Sequence, residues 1–117
     1  MKVIHVKAND RVVEPTRHGS HIMKSVCVRG GQIANLTQVA EATLPLGKAE
    51  VEMHRHPTMW ECYLVLEGKA VYSVGDERVE VEPGDFLAIP PDTLHNQEVT
   101  EGPHRIFYFG VATDMAQ

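Results

Sequence analysis

Short apolar segments separated by turn signals dominate the chain, and no window carries a convincing helical stripe. The segments "VIHV" (3–6), "HIMKSVCV" (21–28), "IANLTQVAEATL" (33–44) and "AEVEMHRH" (49–56) have strand length and composition. Gly30-Gly31 and Pro45-Leu46-Gly47 punctuate them, and Pro57 stops the last, which alternates with period two. "ECYLVL" (61–66) and "KAVYSV" (69–74) flank Glu67-Gly68, which reads as a two-residue hairpin. "RVEVE" (78–82) follows Gly75-Asp76-Glu77, and Pro83-Gly84 fits a type II turn. "FLAI" (86–89), the turn Pro90-Pro91-Asp92, "HNQEV" (95–99) and "RIFYFG" (105–110) complete the series. The only competing helix lies near 34–42. About ten short strands predict an all-β antiparallel sandwich or barrel.

The chain has 117 residues, enough for one domain (1–117) with an enclosed core, and no repeat or linker divides it. Hydrophobic residues make up 43% and charged ones 23%, the balance of a globular protein rather than a disordered one. A formal net charge of -5 with no basic cluster argues against nucleic acid as a partner. Cys27 and Cys62 make no disulfide framework and no Cys-x-x-Cys pair. No apolar run approaches the ~20 residues of a membrane span. The N-terminal segment lacks the apolar core of a signal peptide, so a cytoplasmic protein is expected, with no membrane partner.

One stretch departs from ordinary strand chemistry: "MHRHPTMWECYLVLEG" (53–68) opens with two imidazoles and a carboxylate. Residues i and i+2 of a strand share a face, so His54 and His56 point the same way. Pro57 to Trp60 turn the chain, and Glu61 can return its carboxylate beside the two rings. His95, which starts a later strand after a second turn, can supply a fourth ligand. The alternative is that His54 and His56 face solvent and Glu61 pairs with Arg55. An apolar strand beginning at Glu61 weighs against it, because an unpaired carboxylate at its mouth is costly.

These residues resemble a small single-domain cupin over about residues 15–112. The first cupin motif maps onto Gly47, His54, His56, Glu61 and Gly68, and the second onto Gly84, Pro90 and His95. "RHGSHIMKSVCV" and "AEATLPLG" also resemble the lead-in of bacterial members. Three departures stand out. Six residues rather than five separate Gly47 from His54, Asp92 replaces a usual glycine, and Val99 replaces a usual asparagine. The resemblance implies an antiparallel double-stranded β-helix, or jelly-roll barrel, with His54, His56, Glu61 and His95 as ligands of one divalent transition metal. Three imidazoles and a carboxylate suit iron, manganese, nickel, cobalt or zinc rather than calcium or magnesium.

A four-ligand site leaves coordination positions open and a residual positive charge, which attracts a small oxygen-donor ligand. The expected function is a metal-dependent enzyme on a small oxygen-rich organic substrate, with oxygenase chemistry first and isomerase or lyase chemistry beside it. A non-catalytic module binding a small molecule is the alternative. Gln38, Trp60, Tyr63, Tyr72, Phe86 and Gln97 are the candidate substrate-binding residues. Met59 and Trp60 sit beside the site in a turn. His5, His18, His21 and His104 read as surface or strand-end residues, with His21 alone held open. Cys62 should face away from Glu61. Ala49, Val51 and Met53 form an apolar face opposite His54, which suggests a second layer, and small cupins commonly dimerise, so a homodimer is expected.

Overall fold

The computed structural model describes residues 3–48 and 52–113. A short 3-10 turn, Ala8–Asp10, precedes eight strands: β1 (Val12–Thr16), β2 (Gly19–Val28), β3 (Leu36–Leu44), β4 (Gly47–Lys48), β5 (Met59–Val74), β6 (Glu77–Val81), β7 (Phe86–Ile89) and β8 (His95–Ala112). All pairings are antiparallel. The fold is the all-β jelly roll.

Two long strands build it. β5 pairs through Glu61–Leu64 with β7 and through Met59–Val65 with the C-terminal half of β8, which continues to β3, β2 and β1. Beyond Glu67, β5 pairs through Ala70–Val74 with β6 on one side and with the N-terminal half of β8 on the other, where β4 joins it. The same two strands therefore serve both layers. The core between them holds Tyr63, Val65, Ala70, Tyr72, Val81, Ile89, Val99 and Ile106, each no more than 6% exposed.

The hairpin expected at Glu67-Gly68 is absent, because the ladder to β8 continues through it with shifted register. Gly68 has φ 76°, and a Cβ there would lie 2.2 Å from the carbonyl oxygen of Pro103 and 2.5 Å from that of Glu101. The glycine bends the strand where two backbones meet. For the same reason 61–66 with 69–74, and 95–99 with 105–110, are single strands rather than pairs. Residues 3–6 form no strand, and Val3 is 89% exposed. β1 was not expected, because Pro15 disguises it. Proline is tolerated on this sheet edge, where its missing N–H costs no ladder bond. The segment 33–44 begins its strand only at Leu36, after a turn in which Asn35 takes φ 68°, and no helix forms at 34–42.

Of the expected strand 49–56, Ala49 and Val51 lie outside the described residues, and with them the apolar outer face. His54 makes an isolated bridge with His95 rather than a continuous ladder. The Pro83-Gly84 turn is as expected, with Gly84 at φ 95° and the Asp85 N–H donating to the carbonyl of Glu82 at 3.0 Å. Among the described residues no helix is long and apolar enough to cross a membrane.

Candidate metal centre

His54 and His95 belong to different motifs and meet backbone to backbone. The His54 N–H donates to the His95 carbonyl at 3.1 Å, and the His95 N–H returns to the His54 carbonyl at 2.9 Å. Their rings lie 4.2 Å apart, and the His56 ring lies 5.3 Å from His54 and 5.6 Å from His95. His56 is held in turn by the second motif, since the Asp92 N–H donates to its carbonyl at 2.8 Å. Asp92 adopts φ 57°, so it takes the left-handed conformation that glycine favours and aspartate tolerates. The turn therefore survives the replacement of glycine. Arg55 turns away from the cluster to Asp92 at 3.4 Å.

Glu61 stands on β5 between Ile89 of β7 and Gly110 of β8. The Tyr63 hydroxyl donates to its Oε1, which leaves Oε2 directed at the imidazoles. His56 Nε2 comes within 2.6 Å of Oε2 and His95 Nε2 within 3.6 Å. Neither approach makes a hydrogen bond, the second being too long for one, and Glu61 Oε2 and His95 Nε2 are buried without a hydrogen-bond partner. Buried polar atoms normally find one, so two orphans facing each other need an explanation.

The second nitrogens of two rings supply it. His54 Nδ1 lies 2.9 Å from the Glu52 carbonyl, and His95 Nδ1 lies 2.9 Å from that of Thr93. A carbonyl only accepts, so in the neutral rings the proton sits on Nδ1 and Nε2 keeps its lone pair. One ligand atom from each of His54, His56, Glu61 and His95 lies within 4.8 Å of all the others. Metal–ligand bonds of the usual length place donor atoms about 3–4 Å apart around one ion. The donor set, its spacing and its unpartnered lone pairs fit a borderline divalent ion.

The electrostatics agree with that fit. Burial works to raise the Glu61 carboxyl, but contacts with His56, His95 and Tyr63 outweigh it and hold the group well below the usual carboxylate range. Burial lowers His54, keeping the ring neutral. Burial also works to lower His95, but Glu61 and the Thr93 carbonyl outweigh it and raise it. Burial, then the charge of Glu61, pushes the Tyr63 hydroxyl well above its ordinary range, so it remains a proton donor to Glu61.

A cavity of about 550 Å³ opens from His54, His56 and Glu61. Gln38, Tyr63 and Gln97 line it, as do the apolar side chains of Ile22, Leu44 and Ile106. The structure places the other three candidate substrate residues elsewhere. Trp60 is 40% exposed and Phe86 58% exposed, both outside the cavity wall. Tyr72 is packed in the core, 1% exposed, with its hydroxyl 2.9 Å from His104 Nε2. His104 is no surface residue: it is fully buried, because the bend at Gly68 brings its strand against β5, where the Glu67 carbonyl lies 3.2 Å from Nδ1. Met59 lines the cavity from the start of β5 rather than from a turn.

His18 is a neighbour of the cluster that the sequence did not point to. It sits at the tip of the β1–β2 hairpin, its ring 5.0 Å from that of His54, and it lines the cavity. Its signal was the hairpin itself, "VVEPTRHGS", hidden by the proline. Cys62 is 8% exposed and its thiol is raised by burial and by Glu61, which leaves no reactive thiolate.

Comparison with known proteins places these features in a family. MJ1618, an uncharacterized protein of Methanocaldococcus jannaschii, is 40% identical over 60 residues, which are 51% of this chain and 47% of that protein. The matched region thus spans about half of the curated relative's length. A predicted oxalate decarboxylase of Thermotoga maritima superposes with a TM-score of 0.79 at 17% identity, covering 92% of this chain and 98% of its own. KdgF from a Halomonas species superposes at 0.74 and 14% identity, covering 93% and 94%. The Streptomyces nucleoside dehydratase Pac13 does so at 0.73 and 16% identity, covering 97% and 86%. These likenesses show the fold. Residues 40–108 match the family model described as the cupin domain, and the chain belongs to the cupin family.

Proposed function

We propose that His54, His56, Glu61 and His95 hold one divalent transition metal ion, drawn from iron, manganese, nickel, cobalt and zinc. On this reading the chain is a metal-dependent enzyme acting on a small oxygen-rich organic acid. One observation carries it: donor atoms of three imidazoles and a carboxylate converge, and two of them, the buried Glu61 Oε2 and His95 Nε2, have no hydrogen-bond partner. The ion would supply positive charge to polarise a substrate carbonyl or carboxylate.

The chain's own residues do the rest. The Glu52 and Thr93 carbonyls orient the His54 and His95 rings, and Tyr63 fixes the Glu61 carboxylate. Gln38 and Gln97 offer neutral amides to substrate oxygens from the cavity wall, and Ile22, Leu44 and Ile106 keep water off the bound chain. Lyase chemistry is adopted over the oxygenase chemistry that the sequence put first. A predicted oxalate decarboxylase and a nucleoside dehydratase among the structural neighbours support it. Redox-neutral cleavage also asks of the ion only its charge, which every candidate metal provides. A homodimer completes the reading, supported by exposed Met53 and Trp60, 45% and 40% exposed; light scattering showing only monomer at micromolar concentration removes it.

Elemental analysis of the purified protein and of a His54→Ala/His56→Ala variant tests the site, followed by a turnover screen on small hydroxy and oxo acids with and without oxygen. One ion per chain, lost in the variant, with turnover that persists anaerobically, is the expected result. Equal metal content in both proteins overturns the metal site. Turnover that requires oxygen replaces lyase with oxygenase chemistry, and metal-dependent binding without turnover makes the chain a binding module.

A further inference from the structure

Lys24 is a charged residue on the inward face of β2. Its neighbours on that face, Ile22 and Val26, are 2% and 5% exposed, and the Lys24 side chain itself is 15% exposed. An ammonium in such a position needs partners, yet those present are weak ones. Nζ donates to Gln38 Oε1, a neutral acceptor, at 3.0 Å. Glu14 lies 3.7 Å away, but both of its oxygens are already bonded by Arg29, at 2.9 and 3.2 Å. Lys24 is thus held in place by Gln38 and shares the single charge of Glu14 with Arg29, which leaves the three charged groups with one positive charge in excess.

It lines the cavity that contains the metal cluster. Register fixes its place: Lys24 pairs with Ala42, Ala42 with Ile106, and Ile106 with Val65, two inward-facing positions along β5 from Glu61. Ile22, Ala42, Leu44 and Ile106 form an apolar wall to the same cavity. Those two inward positions span about 13 Å along β5, and Lys24 also stands three strands away at about 4.8 Å per strand, so it and the cluster occupy separate parts of the cavity wall. Arg17 adds positive charge to the wall, and Glu61, spoken for by the cluster, is the sole carboxylate among the described lining residues.

We propose that Lys24, positioned by Gln38, is the specificity-determining anchor for a second carboxylate, so that the substrate is a dicarboxylic acid that chelates the ion at one end and pairs with Lys24 at the other. This rests on the metal-dependent reading of the cluster. It adds to that reading the charge and polarity of the ligand. An acid with only the chelating end leaves the ammonium facing an apolar chain, whereas the diacid gives it a charge-assisted hydrogen bond.

The test uses the cobalt-loaded protein and three probes: oxalate, which only chelates, 2-oxoglutarate, and 2-oxopentanoate, which has the same chain without the second carboxylate. Calorimetry reads affinity, and the cobalt absorption bands read chelation independently of turnover. The wild-type protein is expected to bind 2-oxoglutarate at least about tenfold more tightly than 2-oxopentanoate. Lys24→Met should bring that ratio to about one while oxalate affinity and cobalt content stay unchanged, and Lys24→Arg should retain a preference. Equal affinity for the two oxo acids in the wild-type protein overturns the proposal without touching the metal reading. So does a preference that survives Lys24→Met. Oxalate that binds equally well without cobalt overturns the metal reading itself, and the proposal with it. The wild-type comparison needs no variant to fold.

Discussion

The His54 and His95 backbones exchange both hydrogen bonds, at 3.1 and 2.9 Å, so two ligands from distant parts of the chain are aligned by main chain rather than by side chains. Their rings are also oriented from behind, each by a carbonyl two residues earlier. The site is preorganised by bonds that do not involve the ion. The His54→Ala/His56→Ala variant should therefore fold and lose the metal, whereas Glu61→Gln should retain it more weakly, since an amide oxygen coordinates without charge. Metal content with circular dichroism on each variant checks this.

Metal should also stabilise the native state. Free ion at a hundred times its dissociation constant adds about 2.7 kcal/mol, a rise of several degrees in Tm for a chain of this size. Thermal unfolding with and without added ion measures it. The double variant should show no such rise.

Tyr63 holds one oxygen of Glu61 and leaves the other for the ion. Tyr63→Phe keeps the packing and frees the carboxylate to rotate. The expected outcome is a roughly 10–100-fold loss of metal affinity with little change in the unfolding temperature of the metal-free protein. Competition with a chelator of known affinity reads the first, and a thermal melt the second.

His104 gives the fold an acid sensitivity away from the metal. Burial lowers its pKa from the ordinary 6.5, with the Glu67 carbonyl opposing that shift only in part. The unfolded chain therefore takes up the proton first. The contribution of the neutral ring is complete above pH 6.5 and is lost as pH falls below it. Replacing the ring by His104→Gln should cost about 1–3 kcal/mol at neutral pH through the Tyr72 and Glu67 contacts, and should flatten the decline below 6.5. Denaturant unfolding across pH 5 to 8 for both proteins checks the sign.

Gly68→Ala places a methyl against the Pro103 and Glu101 carbonyls and a positive φ on alanine. Neither backbone can yield without breaking the β5–β8 ladder. A destabilisation of about 2 kcal/mol or more is expected, measured as a lowered denaturant midpoint.

The sequence by itself determined the all-β class, the family resemblance and the four residues that now stand together as a cluster. Strand alternation and ordered spacing are local properties: His54 and His56 share a face because the period is two, and Glu61 returns because Pro57 ends the segment. Asp92 could be named as a substitution from the sequence, but only its φ of 57° showed that the turn survives it. The long strands were not legible, because Glu67-Gly68 carries the same signature as a hairpin and differs only in what lies opposite. Carbonyls of β8 stand there, more than thirty residues away. The same non-local packing buried His104 against Tyr72, brought the hairpin tip with His18 beside His54, and turned Lys24 inward to Gln38. Trp60 shares β5 with the cavity residues Met59, Glu61 and Tyr63, and Phe86 stands on β7 paired to that strand, yet strand parity cannot say which face is enclosed. Only the pairing of both halves of β5 with both halves of β8 made one face the inside.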